Sequence, residues 1–328
     1  MDLIEKLKIN LFFGDYIKIN QEKTEELIDF HIKNKIFKEN KPYDWSDKNF
    51  YLEKDRYSSE EISNFFTIGN SINFKYWDNK NKQIIYCQGE KKGLHVKGAR
   101  YMWRCLKNAI EENLFPLLSP KELINFSKKD FINIFSDDYG INPFYMSMNE
   151  RIKNLKDLGK KLNKNWDDNF FNLLNSTNNS IVDFVKKCRN IRAFDDPLCK
   201  LTMVNAILHT GRGIYNFNQP LFPGIDYQLM KQMLRIGAIL PNGDIDKKLK
   251  RRLILENEES IEIRNATLYV FKKIMKKTGI PGEIIDNKWW MNKDNCSEDN
   301  PSCGKCPFNK VCDKKIELFF PMENTRYY

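Results

Sequence analysis

Apolar residues along this 328-residue chain recur mostly three and four positions apart, which predicts a mainly α fold. A first helical pattern covers residues 2–11, and a stronger one runs over 21–37 with Leu27, Ile28, Phe30, Ile32 and Ile36 in rough helical register. Ser58 and Glu61 have capping-box spacing and start a helix through Ile68. The period then changes to two: residues 72–77, a turn at 78–81 and residues 83–87 predict one small β-hairpin. Helical spacing returns from Gly98, with helices expected at 100–112, after Ser119-Pro120, and at 129–135, 149–162, 168–174, 181–187 and 199–209. A Pro223-Gly224 turn leads into a helix at Asp226, followed by helices at 246–255, 261–277 (capped by Ser260) and 283–291.

A chain this long, with 41% hydrophobic residues, builds a sizeable core, so residues 1–328 are expected to form a single helical domain, of one body or two packed lobes. No apolar run approaches the length of a bilayer span, and the N-terminus lacks a signal-peptide pattern, so no membrane partner and a cytoplasmic location are expected. The net charge of +10 favours phosphate-bearing partners; residues 247–252 are the densest basic run, while most lysines are scattered as on solvated helix faces. There is no Walker loop, dinucleotide fingerprint, G-x-S-x-G elbow or His-Glu-x-x-His pair.

Chemistry concentrates at three places. Asp226 follows the Pro-Gly turn at a helix start, where unpaired N–H groups and the positive helix end favour an anion. Locally it reads as an N-cap; an anion fixed there can also face a developing cation. Phe74, Tyr76 and Trp77 on the hairpin are either its core or a stacking wall for a planar base. Of eight cysteines, Cys87, Cys105, Cys188 and Cys199 sit singly in apolar patterns, whereas Cys296, Cys303, Cys306 and Cys312 cluster at x6, x2 and x5 spacing. Four converging thiolates suit a tetrahedral zinc ion or an iron–sulfur cluster.

That spacing, with proline after the third cysteine, resembles the cluster loop of endonuclease III type DNA glycosylases and implies a [4Fe-4S] cluster over residues 296–312, zinc being the alternative. Pro223-Gly224-Ile225 is similar to the hairpin of that helix-hairpin-helix family, but its Schiff-base lysine position falls on Gln228, which favours hydrolysis over lyase chemistry. A broader resemblance, from about residue 70 to the end, is to the queuosine salvage protein family. It is carried by residues 70–77, 150–155, Lys200, 222–228, 234–238, 261–264 and 326–328. Members are queuosine 5'-phosphate N-glycosylases with a largely helical, DNA-glycosylase-like fold, and the resemblance implies the same activity on a small nucleotide.

It also implies Asp226 as the catalytic aspartate, Tyr227 as its neighbour, and Phe74 with Trp77 beside the base. Lys200 matches a lysine that could meet the phosphate. Arg264 is a second candidate for the phosphate, and Asn70 and Asn73 are candidates for the polar edge of the base; the family usually carries aspartate where this chain has Asn70. The competing expectations are a cluster-bearing DNA glycosylase acting on damaged bases, with nucleic acid as partner, and a non-catalytic cluster-bearing nucleic-acid-binding protein.

Overall fold

Helices dominate, as the apolar period predicts. In chain order they are α1 (Leu3–Lys6), α2 (Gln21–Lys33), α3 (Ser59–Ser71), α4 (Ala99–Glu111), α5 (Lys128–Phe135), α6 (Met148–Asn165) and α7 (Phe170–Asn175). They continue with α8 (Ile181–Cys188), α9 (Lys200–Gly211), α10 (Tyr227–Ile236), α11 (Gly243–Lys250), α12 (Asn257–Thr278) and α13 (Gly282–Met291). The strands are β1 (Ile17–Ile19), β2 (Trp77–Lys80), β3 (Gln83–Tyr86), β4 (Gln88–Lys91), β5 (Leu94–Lys97) and β6 (Ile239–Pro241). These elements come from a computed structural model describing residues 2–34, 37, 42–80 and 83–328. The backbone divides into two compact units: unit 1 is Met1–Tyr43 with Gln219–Asn324, and unit 2 is Asp44–Asn218 with Thr325–Tyr328. No helix among the described residues is long and apolar enough to cross a membrane.

In unit 1, α2 and β1 pack on α12, and β1 pairs antiparallel with β6, Ile17 opposite Pro241. Glu262 of α12 is 3% exposed and accepts backbone N–H groups of Gly14, Tyr16 and Ile17 at 2.7, 2.9 and 2.7 Å, tying the N-terminal segment to the helix. Leu27, Ile28 and His31 form the buried face of α2, while Ile32 is 51% exposed and not part of it; Ile36 lies outside the described residues. His31 donates from Nδ1 to the Leu27 carbonyl and accepts Trp289 Nε1–H at Nε2 (3.1 Å), the core role expected of a lone helical histidine. Two starts differ from expectation. The Asn242 side chain accepts N–H groups at the start of α11, so that helix begins earlier. A Glu256–Glu259 capping box starts α12 before Ser260, which is buried inside it.

In unit 2, α3 is the central helix, packed by α6, α7 and α9. The Ser58–Glu61 capping box is present as expected, and α3 continues to Ser71. Ser119-Pro120 opens a 3-10 turn (Pro120–Asn125) rather than an α-helix. This turn lies so close to α6 that a Cβ at Gly159 would sit 2.4 Å from the Pro120 carbonyl oxygen, which only glycine avoids.

The predicted hairpin is β2 paired with β3, Trp77 opposite Tyr86, but residues 72–76 lie outside the strand. Their carbonyls are already engaged: Arg151 takes those of Ile72, Phe74 and Lys75, leaving them unavailable to a ladder. Asp78, Asn79 and Lys80, expected in the turn, belong to β2, and Asn81 lies outside the described residues. A second hairpin, β4 with β5, was hidden because the buried positions of its first strand are Gly89 and Lys91, with only the half-buried Val96 and Leu94 opposite them. Its turn carries Lys92 and Gly93 at φ 51° and 69°, the paired positive angles of a tight hairpin turn.

Candidate functional site

The segment from Asn70 to Trp77 runs from the end of α3 into β2 and is held from two sides within unit 2. From α6, Arg151 is fully buried and donates to the carbonyls of Ile72 (3.2 Å), Phe74 and Lys75 (2.9 Å), while Asn154 donates to Ser71 at 2.9 Å. The Arg151 guanidinium also lies 4.5 Å from the Phe74 ring centroid and 4.0 Å from that of Phe144. From α9, Lys200 donates Nζ–H to the Asn73 carbonyl at 2.9 Å, and its backbone N–H is accepted by Asp196 at 2.7 Å.

The asparagines complete the group. Asn70 donates to the Leu201 carbonyl and accepts from Asn73 Nδ2 at 3.1 Å; Asn73 Oδ1 in turn accepts Tyr76 O–H at 2.8 Å. Phe74 and Trp77 are 1% and 2% exposed, so both rings are core residues. Lys75, at φ 44°, places Nζ 5.1 Å from the Trp77 ring centroid, and burial lowers its ammonium pKa. Arg151→Ala is expected to lower stability by about 3 kcal/mol or more, because three buried carbonyls lose a charged donor. Arg151→Lys should recover only part of this, since an ammonium cannot span the fork of a guanidinium. Denaturant midpoints of the three proteins check both.

In unit 1 the turn before α10 is built against α12 and α13. Leu221 donates its N–H to Glu283 at 3.1 Å, Gly224 donates its own to Asp286 at 2.9 Å, and Arg264 of α12 donates to the Ile225 carbonyl at 3.4 Å. Burial raises the Glu283 pKa above the ordinary carboxylate range. A Cβ at Gly282 would meet the Leu221 carbonyl oxygen at 2.3 Å, so α13 begins in direct contact with this turn. Asp226 is the N-cap of α10: its Oδ1 accepts the N–H groups of Gln228 (2.9 Å) and Leu229 (3.0 Å), and the residue is 8% exposed. Beside it the Tyr227 ring packs on Phe320, centroids 4.9 Å apart.

The polar stripe of α10 faces the cysteine loop. Gln228 and Lys231 both donate to Glu298 Oε1, at 3.0 and 2.8 Å, and Lys231 also donates to Gln228 Oε1 at 2.6 Å. Burial alone would raise the Glu298 pKa, but Lys231 and Gln228 outweigh it and hold the carboxylate ionised below its usual range. Gln232 donates to the Trp289 carbonyl and accepts from Asn292, whose amide also lies 3.4 Å from Cys306 Sγ. Arg235, 1% exposed, donates to the carbonyls of Leu318, Ser297, Glu298 and Ile316 and points Nη1 at Cys296 Sγ, 3.7 Å away. After the loop, the N–H groups of Asp313 and Lys315 cap the Ile236 and Arg235 carbonyls.

All four loop cysteines are free and half-buried, unlike the fully buried Cys87, Cys105, Cys188 and Cys199. Burial pushes the Cys312 thiol up to about 11 and raises Cys306, and in both the neighbouring loop thiols add to the rise. Among the described residues no three His, Cys, Asp or Glu side chains are gathered so as to hold a metal ion. The residues that would hold a four-thiolate group are the four free thiols of the loop, and N–H donors of Arg235 and Lys314 are directed at Cys296 and Cys312.

The structure thus brings Asn70, Asn73, Phe74, Trp77 and Lys200 into one group in unit 2, and Asp226, Tyr227, Arg264 and the four cysteines into unit 1. The family model of the queuosine salvage protein matches residues 53–201, a stretch wholly within unit 2. Over this segment the chain is similar to the queuosine salvage protein family. That similarity supports a role in queuosine salvage, with a small-molecule nucleotide as the substrate class. No curated protein matches the chain. The family match takes in Asn70, Asn73, Phe74, Trp77 and Lys200 and ends before Asp226. Arg151, also within it, is the largest contributor that side-chain type alone did not reveal. An arginine whose register places it among Leu155, Leu158 and Leu162 on a buried helix face is the signal that would have found it.

Proposed function

We propose that the protein is a hydrolytic N-glycosylase that releases queuine, or a related 7-deazapurine, from the 5'-phosphate of its nucleoside. One observation carries the reading: Asp226 is a nearly buried carboxylate at the start of α10, with both cap bonds converging on Oδ1. Cleavage breaks the C1'–N bond with the electron pair leaving on the base, so positive charge develops on the sugar. An anion held by a helix N-terminus stabilises that charge and accepts a hydrogen bond from the attacking water. Water adds to C1', and its proton is balanced by protonation of the departing base. A 7-deazapurine has no N7 to protonate, so help to the leaving group comes from hydrogen bonds to other edges of the base, the role assigned to Asn70 and Asn73. Lys200 is assigned to the 5'-phosphate as a point charge. Arg264, directed at the Ile225 carbonyl, is assigned to holding the turn that presents Asp226.

Cys296, Cys303, Cys306 and Cys312 are proposed to hold a [4Fe-4S] cluster, with zinc as the alternative. Such a group, closed by four protein ligands, supplies structure rather than a binding position for substrate. The same cysteines support a second reading, a cluster-bearing DNA glycosylase. Both readings meet in one experiment: anaerobically purified protein is incubated separately with queuosine 5'-phosphate and with duplex DNA carrying damaged bases. Release of free queuine with ribose 5-phosphate is the expected result. Base release from DNA alone would replace the first reading with the second.

A further inference from the structure

Between the cysteine loop and Asp226 lies a continuous hydrogen-bonded path within unit 1. Its first link is Glu298, two residues after Cys296 in the loop. Glu298 Oε1 accepts from both Gln228 and Lys231, and the backbone N–H of Gln228 is one of the two donors to Asp226 Oδ1. The opposite end of α10 is gripped by the same loop. Arg235 binds carbonyls on both flanks of the cysteines, and the chain leaving Cys312 caps the helix C-terminus. Gly237, at φ 88°, makes that cap possible, because a Cβ there would fall 2.1 Å from the Asp313 carboxylate. Lys231 is fully buried with Glu298 as its ion-pair partner, so this stripe has few alternative arrangements.

We infer that Glu298 is a positioning residue: filling the four-thiol site fixes the loop, and Glu298 passes that order through Gln228 and Lys231 to the first turn of α10, setting where Asp226 stands. The inference rests on the assignment of the four cysteines as ligands and of Asp226 as the functional carboxylate. Its consequence is that an emptied loop loosens the carboxylate some distance along the helix while the rest of unit 1 stays folded.

The test reads hydrogen exchange at the Gln228 and Leu229 amides, whose protons are held by Asp226, with α12 amides as an internal reference. It uses the full-length protein, anaerobically loaded with iron and sulfide or with zinc and then stripped by chelator. Wild-type protein should exchange at these two amides at least about tenfold faster once stripped, with α12 unchanged. Glu298→Ala should retain its metal by elemental analysis, exchange fast already when loaded, and show no further change on stripping. Glu298→Gln, which keeps an acceptor oxygen for Gln228 and Lys231, should restore part of the response. Unchanged exchange on stripping, or a Glu298→Ala protein that responds like wild type, overturns the inference, as does a chain that takes up neither metal group. None of these readouts needs turnover, so failure of the glycosylase reading would register separately, as absence of queuine release from a loaded protein whose α10 still responds.

Discussion

Asp226→Asn is expected to reduce the rate of queuine release by about 10²- to 10⁴-fold while leaving the fold and substrate affinity nearly intact. The size follows from removing a charge that opposes an oxocarbenium-like transition state, where preorganised electrostatics supply the largest share of rate. The selectivity follows from cap chemistry. Asparagine serves as well as aspartate at an N-cap, so its side-chain oxygen can still accept the Gln228 and Leu229 N–H groups. Single-turnover rates and nucleotide binding, measured on wild type and variant, separate the two effects. A variant within tenfold of the wild-type rate would reduce Asp226 to a helix cap, which is how its immediate neighbours in sequence present it. Asp226→Ala is the less informative change, because it removes the charge and the cap together.

Acid is expected to destabilise both units well before their carboxylates titrate. His31 in unit 1 and His209 in unit 2 are buried and neutral, and burial lowers each pKa from 6.5 to about 4. Geometry explains why neither takes a proton readily. Nδ1 of each points at a backbone carbonyl and carries the hydrogen, while Nε2 faces Trp289 Nε1–H in one case and the Ser63 hydroxyl in the other. The unfolded chain protonates these residues near pH 6.5, and the folded chain does so only near 4. The unfolded state therefore binds the extra protons between those values. Stability is full above about pH 6.5 and falls as pH drops, by up to about 1.4 kcal/mol per pH unit for each histidine. Urea midpoints at pH 7, 6, 5 and 4 check this; a flat profile across that range would mean the two rings are not buried in neutral form.

The helical class was legible because most elements bury apolar residues at helical spacing, α3 and α10 clearly among them. So was the capping chemistry of Ser58 and Asp226, which depends on side chains adjacent in sequence. What escaped the sequence was decided by distant partners. The hairpin was read too long on its first strand because its alternation continues back to Ile72, whereas in the folded chain Arg151, some 76 residues away, claims the carbonyls that a longer strand would need. The β4–β5 hairpin was missed because a glycine and a lysine fill its buried positions. Phe74 and Trp77 were legible as an aromatic group, but their burial depends on the helices that pack around them. The four cysteines were legible by spacing; the polar stripe of α10 that receives their loop was not, since Gln228, Lys231 and Arg235 look like an ordinary solvated face until residues 296–318 are laid against them.

The Glu262 carboxylate, holding three N–H groups from residues 14–17, ties the start of the chain to a helix far downstream, which bears on the order of folding during synthesis. Unit 2 draws on an uninterrupted stretch, residues 44–218, and lacks only its last four residues when that stretch has emerged. The N-terminal segment has no such opportunity: its anchor lies about 246 positions downstream, and closing a loop of that length comes late and slowly. Unit 1, with Asp226 and the cysteine loop, is therefore expected to complete its fold after unit 2.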